Sequence, residues 1–387
     1  MPAHRTGEHF LLAAQALTGQ INDARNEIER TRLMPATLIA ALRATGIFRM
    51  WLPQALGGPQ LSVAEFVRVV EALSYVEGSV GWCTGLGAAY SRFAGYLPDA
   101  IATQIFEDNI MAGTLAPHGR GTKVPGGYRV TGRWSWGSGI MHSQWLIVAF
   151  LTQAGNGPIM VGGQPETRIG FLPIAGNVEV IDTWNVGGLR GTGSHDFAIS
   201  DVFIPDDFTL DGVDPPPRHA GSLYAISLNS VYPFVIAAVP LGITMAAFDA
   251  FLSLAKIKTP ISGSVLLRDK PTVQSMIGRS HALLHSAREF YYATARSMPE
   301  WAETAIPLTL DQRAQVRLAV AQISEVCKQV VRSLYDAAGG SSVYETCPLE
   351  RHFRDIHAAA QHVQVSPNNF EFAGRVVLGL DAGTARF

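Results

Sequence analysis

The sequence predicts an α+β fold of three consecutive regions: a helical domain over residues 1–110, a β-domain over 111–220 and a C-terminal four-helix bundle over 221–387. Three observations carry this. Apolar residues recur at helical spacing at both ends of the chain. The middle switches to short strand-like runs separated by turn residues. With 387 residues, 47% apolar and 16% charged, there is enough apolar surface to fill large cores.

Taken in order, the first region opens with Leu11, Leu12, Ala14, Leu17 and Ile21 at helical spacing, followed by Ile28, Leu33, Leu38, Leu42 and Ile47. Asp23, Arg25, Glu27, Glu29 and Arg30 supply the wet face. Pro35 suits the first turn of a new helix, where its missing N–H would be unbonded anyway. Ser62-Val63-Ala64-Glu65 has the spacing of a capping box ahead of an apolar helix Phe66–Val76. Gly78-Ser79-Val80-Gly81-Trp82 is expected to break that helix. A further apolar helix then runs to about Tyr96, and Pro98 opens a short one.

Near Met111 the character changes. Pro125-Gly126-Gly127 reads as a turn, and Tyr128–Trp134 alternates as a half-buried strand does. Trp145–Phe150 is a buried strand by its β-branched and aromatic content, and Arg168–Leu172, Val178–Asp182 and Asp196–Ile204 are three more. Asp214-Pro215-Pro216-Pro217 is a stiff extended connector. Helical spacing then returns in Val235–Ile257, Val273–Met298, Leu310–Ala338 and Leu349–His362, with Gly339-Gly340 stopping the third.

A net charge of −2 without a basic block argues against nucleic acid and against a charged membrane-surface patch. No run of eighteen apolar residues occurs, and Pro233, Pro240 and Gly242 interrupt the best candidate, so no membrane span is expected. Cys83, Cys327 and Cys347 are isolated and odd in number, which fits a reducing cytoplasm. Such low charge density suggests surface buried between subunits.

Two loops concentrate the chemistry: Gly132-Arg133-Trp134-Ser135-Trp136-Gly137-Ser138-Gly139 and Gly188-Leu189-Arg190-Gly191-Thr192-Gly193-Ser194-His195-Asp196-Phe197. Glycine lets a backbone approach a flat polar ring, tryptophan offers a stacking face, and small hydroxyls supply hydrogen bonds. A flavin suits that combination. His281, His285 and Glu289 fall at i, i+4 and i+8, but no further ligand is visible, so no metal is expected and a polar stripe between subunits fits better. Gly85-Leu86-Gly87 lacks a third glycine and a preceding strand, so no nicotinamide site is expected.

The order of helices, β-domain and helices resembles the acyl-CoA dehydrogenase fold over essentially the whole chain. The segments that carry this are Trp136-Gly137-Ser138-Gly139, the Gly188–Ser194 loop with Asp201-Val202-Phe203-Ile204-Pro205 behind it, and Leu349-Glu350-Arg351-His352-Phe353-Arg354-Asp355. His142, Trp145 and Trp184-Asn185-Val186-Gly187-Gly188 add a finer likeness to the two-component flavin-dependent monooxygenases that act on hydroxyphenylacetate, steroid-derived phenols, indoles and dibenzothiophene.

That resemblance implies an oxygenase component that receives reduced FAD or FMN from a separate NAD(P)H-flavin reductase. It would react the flavin with O2 through a C4a-hydroperoxyflavin and hydroxylate an aromatic, indole- or phenol-type substrate. It implies a homotetramer as well. Residue by residue, Trp136 lies at the flavin and Ser138 places its hydroxyl near N5. Thr114 ends a strand lining the flavin or substrate, and Thr192 and Ser194 are hydroxyl donors. Arg190 reaches flavin carbonyls or phosphate, or braces its loop through a carboxylate such as Asp196. Arg268 reaches the flavin phosphates of a neighbouring subunit. His362, in the last helix, is the catalytic base over the substrate, with His357 a lesser candidate. Tyr90 takes the place of a substrate-facing histidine, and Trp184 belongs to the core rather than to a stacking face. The family's dehydrogenases carry a catalytic glutamate in a Glu-Gly-Thr-like segment. Here that region reads Ser366-Pro367-Asn368-Asn369-Phe370-Glu371-Phe372-Ala373-Gly374, with Glu371 the only carboxylate. An acyl-CoA dehydrogenase-type oxidoreductase using Glu371 and a catalytically silent flavin-binding protein are the alternatives.

Overall fold

The computed structural model describes residues 5–155, 157–261, 263–384 and 387. These form two compact units, one of residues 5–61, 82–155, 157–185 and 190–228, the other of 62–81, 186–189, 229–261, 263–384 and 387.

The first unit opens with α1 (Gly7–Ala16), α2 (Thr18–Thr31) and α3 (Ala36–Ala44). Pro35 is the cap preceding α3 rather than its first helical residue. The second unit begins with α4 (Val63–Val76), where Ser62 and Glu65 bond each other's backbone N–H as a capping box. α5 spans Gly78–Tyr90, so the glycines expected to break a helix lie inside one. The break is a single extended residue, Glu77, at φ −155°. Gly81 is needed because a Cβ there would lie 1.9 Å from Ser74 Oγ; here glycine serves helix packing, not termination. α6 (Asp99–Phe106) follows Pro98 as expected.

The sheet is built from β1 (Met111–Val124), β2 (Gly127–Gly137), β3 (Trp145–Ala154), β4 (Gly157–Pro158), β7 (Thr167–Pro173), β8 (Glu179–Ile181), β9 (His195–Pro205) and β10 (Thr209–Asp211). Its order is β10-β7-β3-β1-β2-β9-β8, with β4 on β3, and β5 (Met160–Val161) pairs with β6 (Gln164–Pro165) as a separate ribbon. Gly126 turns β1 into β2 at φ +82°. The core between strands is Trp134, Phe150, Phe197, Leu146, Val148 and Ile204, all at most 2% exposed. β1 reaches its full length because glycine makes room for that core. A Cβ at Gly119 would lie 2.1 Å from the Trp134 ring, and one at Gly121 2.3 Å from Phe150.

The proline connector is tied down. Asp214 accepts the Leu228 N–H and the Ser227 hydroxyl, each at 2.6 Å, and lies 3.9 Å from the fully buried Arg92 guanidinium. Arg92 also donates to the carbonyls of Leu223, within Ser222–Ala225 (α7), and of Ile226, just after it, and lies over the Tyr96 ring at 5.0 Å.

In the second unit, α8 runs unbroken from Leu228 to Ala255 through Pro233 and Pro240. It is long and apolar enough to cross a membrane by composition alone, but 78% of its most apolar window is buried in the protein, as in a core helix. α9 (Pro271–Thr304), α10 (Leu310–Ala338), α11 (Pro348–Ala359) and α12 (Asn368–Val377) complete it. α10 has the bounds expected, capped by Thr309 with Gln312 and stopped at Gly339. Glu71 of α4 is paired by Arg288 at 3.0 Å and by the Tyr292 hydroxyl, both from α9.

Candidate active site

In the first unit, β2 ends in a bulge. Its pairing with β9 slips between Trp134 and Gly137. In a regular strand, residues 134 and 136 would share a face. The bulge separates them. Trp134 is buried, stacked on Phe197 at 5.6 Å and bonded through Nε1 to the Ala149 carbonyl. Trp136 sits at φ +68°, a region costly for a bulky side chain, and is 63% exposed.

Two residues on, Ser138 belongs to a buried hydroxyl cluster. Trp82 Nε1 donates to Ser138 Oγ at 3.1 Å, Ser138 and Ser194 hydroxyls lie 2.8 Å apart, and Ser194 and Thr192 hydroxyls 2.7 Å apart. The Thr192 carbonyl accepts the Gly139 N–H at 2.8 Å and the Cys83 thiol at 3.6 Å. Burial pushes that thiol well above its ordinary value, so it stays a donor. Gly139, at φ +74°, is packed against His142: a Cβ would lie 2.8 Å from the imidazole Nε2. Burial lowers the His142 pKa to about 4, which keeps the ring neutral. Sequence reasoning thus named Ser138, Thr192, Ser194 and Trp136, and the fold joins the three hydroxyls beside that exposed ring. It missed Trp82 and Cys83, whose only signal was the run of small residues that lets α5 pack closely.

Other expected residues take different posts. Arg190 Nε donates to the Glu29 carbonyl at 3.1 Å and pairs with its carboxylate at 3.6 Å. It braces the loop through Glu29, not through Asp196, which Arg133 holds at 2.8 Å. Tyr90 is buried and donates to the Gly113 carbonyl at 2.9 Å. Its hydroxyl proton is spent on backbone, so the expected donation to substrate is replaced by anchoring of the strand end that carries Thr114. β1 and β3 change register just after Thr114, which is half-buried and accepts the Ala116 N–H at 3.3 Å. Trp184 is half-buried in its loop instead of lying in the core; its N–H donates to His195 Nδ1 and its carbonyl accepts from Arg32.

In the second unit, α11 ends at Ala359, so His362 lies beyond the helix, capping a short turn over 363–365. The Gln364 N–H donates to His362 Nδ1 at 3.2 Å, and burial lowers the pKa to about 4. A neutral ring whose Nδ1 accepts carries its hydrogen on Nε2. The expected base of near-neutral pKa is therefore corrected: this imidazole presents an N–H donor. The His357 Nδ1 is 2.7 Å from the Phe353 carbonyl within α11. Arg268 is exposed beside Asp269. Glu371 is exposed in the first turn of α12, where nothing desolvates it for C–H abstraction. The His281 and His285 rings lie with centroids 4.1 Å apart, tilted by 34°, and Glu289 pairs with Arg296. Among the described residues no group of three or more metal-ligating side chains occurs.

The α11 motif has a task that its sequence did not disclose. Asp355 Oδ1 accepts the Leu189 N–H at 2.6 Å, and Arg354 donates to the Gly187 carbonyl while bonding Glu350. A Cβ on Gly188 would lie 2.2 Å from the Arg354 carbonyl. Arg351 pairs with buried Glu77 at 3.1 Å. The helix clamps residues 187–189, the start of the second glycine-rich loop.

Two family models match the chain: "Acyl-CoA dehydrogenase, N-terminal domain" over residues 12–94 and "Acyl-CoA dehydrogenase, C-terminal domain" over 234–367. Indole-3-acetate monooxygenase of Pseudomonas putida is 28% identical, over 95% of this chain and 93% of its own. The flavin-dependent monooxygenase oxygenase subunit HsaA of Rhodococcus jostii is 26% identical, over 91% and 93%. The chain belongs to the acyl-CoA dehydrogenase superfamily. A solved relative, XiaF from Streptomyces sp. in complex with FADH2 and glycerol, superposes with a TM-score of 0.89 at 25% identity, covering 98% of this chain and 97% of that one. The first unit of this superfamily member fits such a ring: an exposed indole stands at a strained bulge, beside buried neutral hydroxyls and with no carboxylate in the cluster.

Proposed function

We propose that this protein is the oxygenase component of a two-component flavin-dependent monooxygenase, hydroxylating an aromatic substrate of the indole or phenol type. The observation that carries the reading is the pairing of exposed Trp136 with the Ser138 hydroxyl cluster two residues away. In this reading Trp136 lies against reduced FAD or FMN, and Ser138 takes a hydrogen bond at N5. Thr192 and Ser194 hold Ser138 in place, and Thr114 lines the ring from the end of its strand. Arg190 acts by fixing the loop, and exposed Arg268 is left for the phosphates of a neighbouring subunit. When bound, the reduced flavin supplies the two electrons that activate O2; one oxygen atom enters the substrate and the other leaves as water. His362 serves the substrate through its Nε2–H, which suits a phenolic or carboxylate oxygen. A separate NAD(P)H-flavin reductase supplies the flavin.

The enzyme works as a homotetramer, a mass that light scattering reads directly. The cytoplasm is its place, supported by three cysteines that are all free thiols.

The test supplies NADH, a general flavin reductase and indole or simple phenols, and measures oxygenated product against hydrogen peroxide. Wild type is expected to form product. Ser138→Ala is expected to raise the peroxide-to-product ratio about fivefold, as loss of one hydrogen bond worth ~1 kcal/mol permits. Flavin reduction by thioesters with no oxygenated product would instead establish the dehydrogenase alternative, and flavin binding without any product the silent one.

A further inference from the structure

The bonds around Ser138 carry one step more, resting on the reading that Ser138 meets flavin N5. A serine hydroxyl has three hydrogen-bonding valences: one hydrogen and two lone pairs. An indole N–H can only donate, so Trp82, at 3.1 Å, occupies one lone pair of Ser138. Ser194, at 2.8 Å, can be donor or acceptor; with Ser138 donating its hydrogen to Ser194, which is itself held by Thr192 at 2.7 Å, the valence left on Ser138 is a lone pair, the one that can accept an N–H. Trp82 is 9% exposed, Ser194 3% and Thr192 1%, so water competes poorly for these positions.

We infer that Trp82 is a positioning residue that, with Ser194, holds the Ser138 hydroxyl at two points and leaves its single remaining valence for the N5–H of reduced flavin. Trp82 gains nothing by touching the flavin in this role; it acts by removing the rotational freedom of Ser138. Without it, the hydroxyl would sample several rotamers and bond N5–H part of the time only.

The test is a binding measurement. Reduced FAD carries N5–H, whereas reduced 5-deaza-FAD has a CH2 group there and cannot donate. The ratio of their anaerobic dissociation constants reads the hydrogen bond at that position. Wild type is expected to favour reduced FAD about five- to tenfold, and Ser138→Ala to abolish the preference. Trp82→Phe is expected to cut it to about twofold, and to change it no further when added to Ser138→Ala. Ser194→Ala, a smaller buried change, is expected to act likewise and keeps the question open to experiment where Trp82→Phe unfolds. A preference unchanged in both Trp82→Phe and Ser194→Ala, while Ser138→Ala abolishes it, would overturn the inference alone. A wild-type ratio of one, or a ratio that Ser138→Ala leaves intact, would overturn the placement of Ser138 and the inference with it. A merely structural tryptophan would lower thermal stability but leave the ratio alone.

Discussion

His362 shows how one backbone hydrogen bond redefines a side chain. The Gln364 N–H occupies Nδ1, so the neutral ring must hold its proton at Nε2. To act as a base at Nε2 the ring would first have to shift tautomer and give up that bond. Two results follow from a donor role. His362→Gln, which keeps an N–H donor, should retain product formation within a few-fold of wild type, whereas His362→Leu should lose ten- to a hundredfold. The pH profile of kcat should show no limb near pH 6.5 from this residue, because its proton is gained only near pH 4. A limb near neutrality that vanishes in His362→Gln would restore the base. Nothing in the local sequence could have revealed this. Histidine at position 362 stands out in the sequence by resemblance alone, and the turn that sets its tautomer depends on the helix ending three residues earlier.

At the scale of elements, the α11 segment and the 187–189 loop form one device. Asp355 is 2% exposed, and its carboxylate is the acceptor that satisfies the Leu189 amide. Leu189 itself is at φ +49°, a conformation that this bond and the Gly188 contact support. Asp355→Ala should cost about 2 kcal/mol in urea unfolding, the penalty of a buried amide without a partner. Asp355→Asn should recover most of it, since an amide oxygen also accepts. The elements themselves were legible to differing degrees. α10 was readable to the residue because its start and stop are both local: a Thr-Gln capping box and Gly339. β1 was passed over, apart from the strand end at Thr114, because Gly113, Gly119 and Gly121 interrupt any apolar alternation. Their glycines answer to the rings of Trp134 and Phe150 far along the chain and to the Ile147 carbonyl. α5 was misread at its start for the same reason, since Gly81 is set by Ser74 and not by a turn.

For the whole molecule, two histidines set a pH limit. His142 and His362 both have folded pKa values lowered from 6.5 to about 4 by burial. The unfolded chain therefore binds protons on them at higher pH than the folded one. Stability is complete above about pH 6.5 and falls as pH drops toward 4, by up to about 3 kcal/mol for each ring. Urea midpoints between pH 7.5 and 4.5 should trace that decline, and a His142→Phe, His362→Gln double variant should flatten it. An undiminished slope in that variant would assign the acid sensitivity to other groups. The architecture at this scale was the most legible part of the chain, because period changes near residues 111 and 228 survive averaging over many residues. The proximity of Trp82 to Ser138, 56 positions apart, was not, since no local pattern encodes it.

The run of prolines after Asp214 has the composition of a spacer, the place where an engineer would cut the chain or splice in a foreign sequence. Arg92 forbids that use. Its charge has no exposure to water; it lies over the Tyr96 ring, and among the described residues its carbonyl and carboxylate acceptors are in residues 214–226. Stripping them would strand a buried cation, at a cost of about 3–5 kcal/mol. The segment is a latch rather than a spacer. A fragment ended at Gly212 would lose the counterpart of its most deeply buried charge, and a graft at Pro216 would have to leave both ends of the latch where they are.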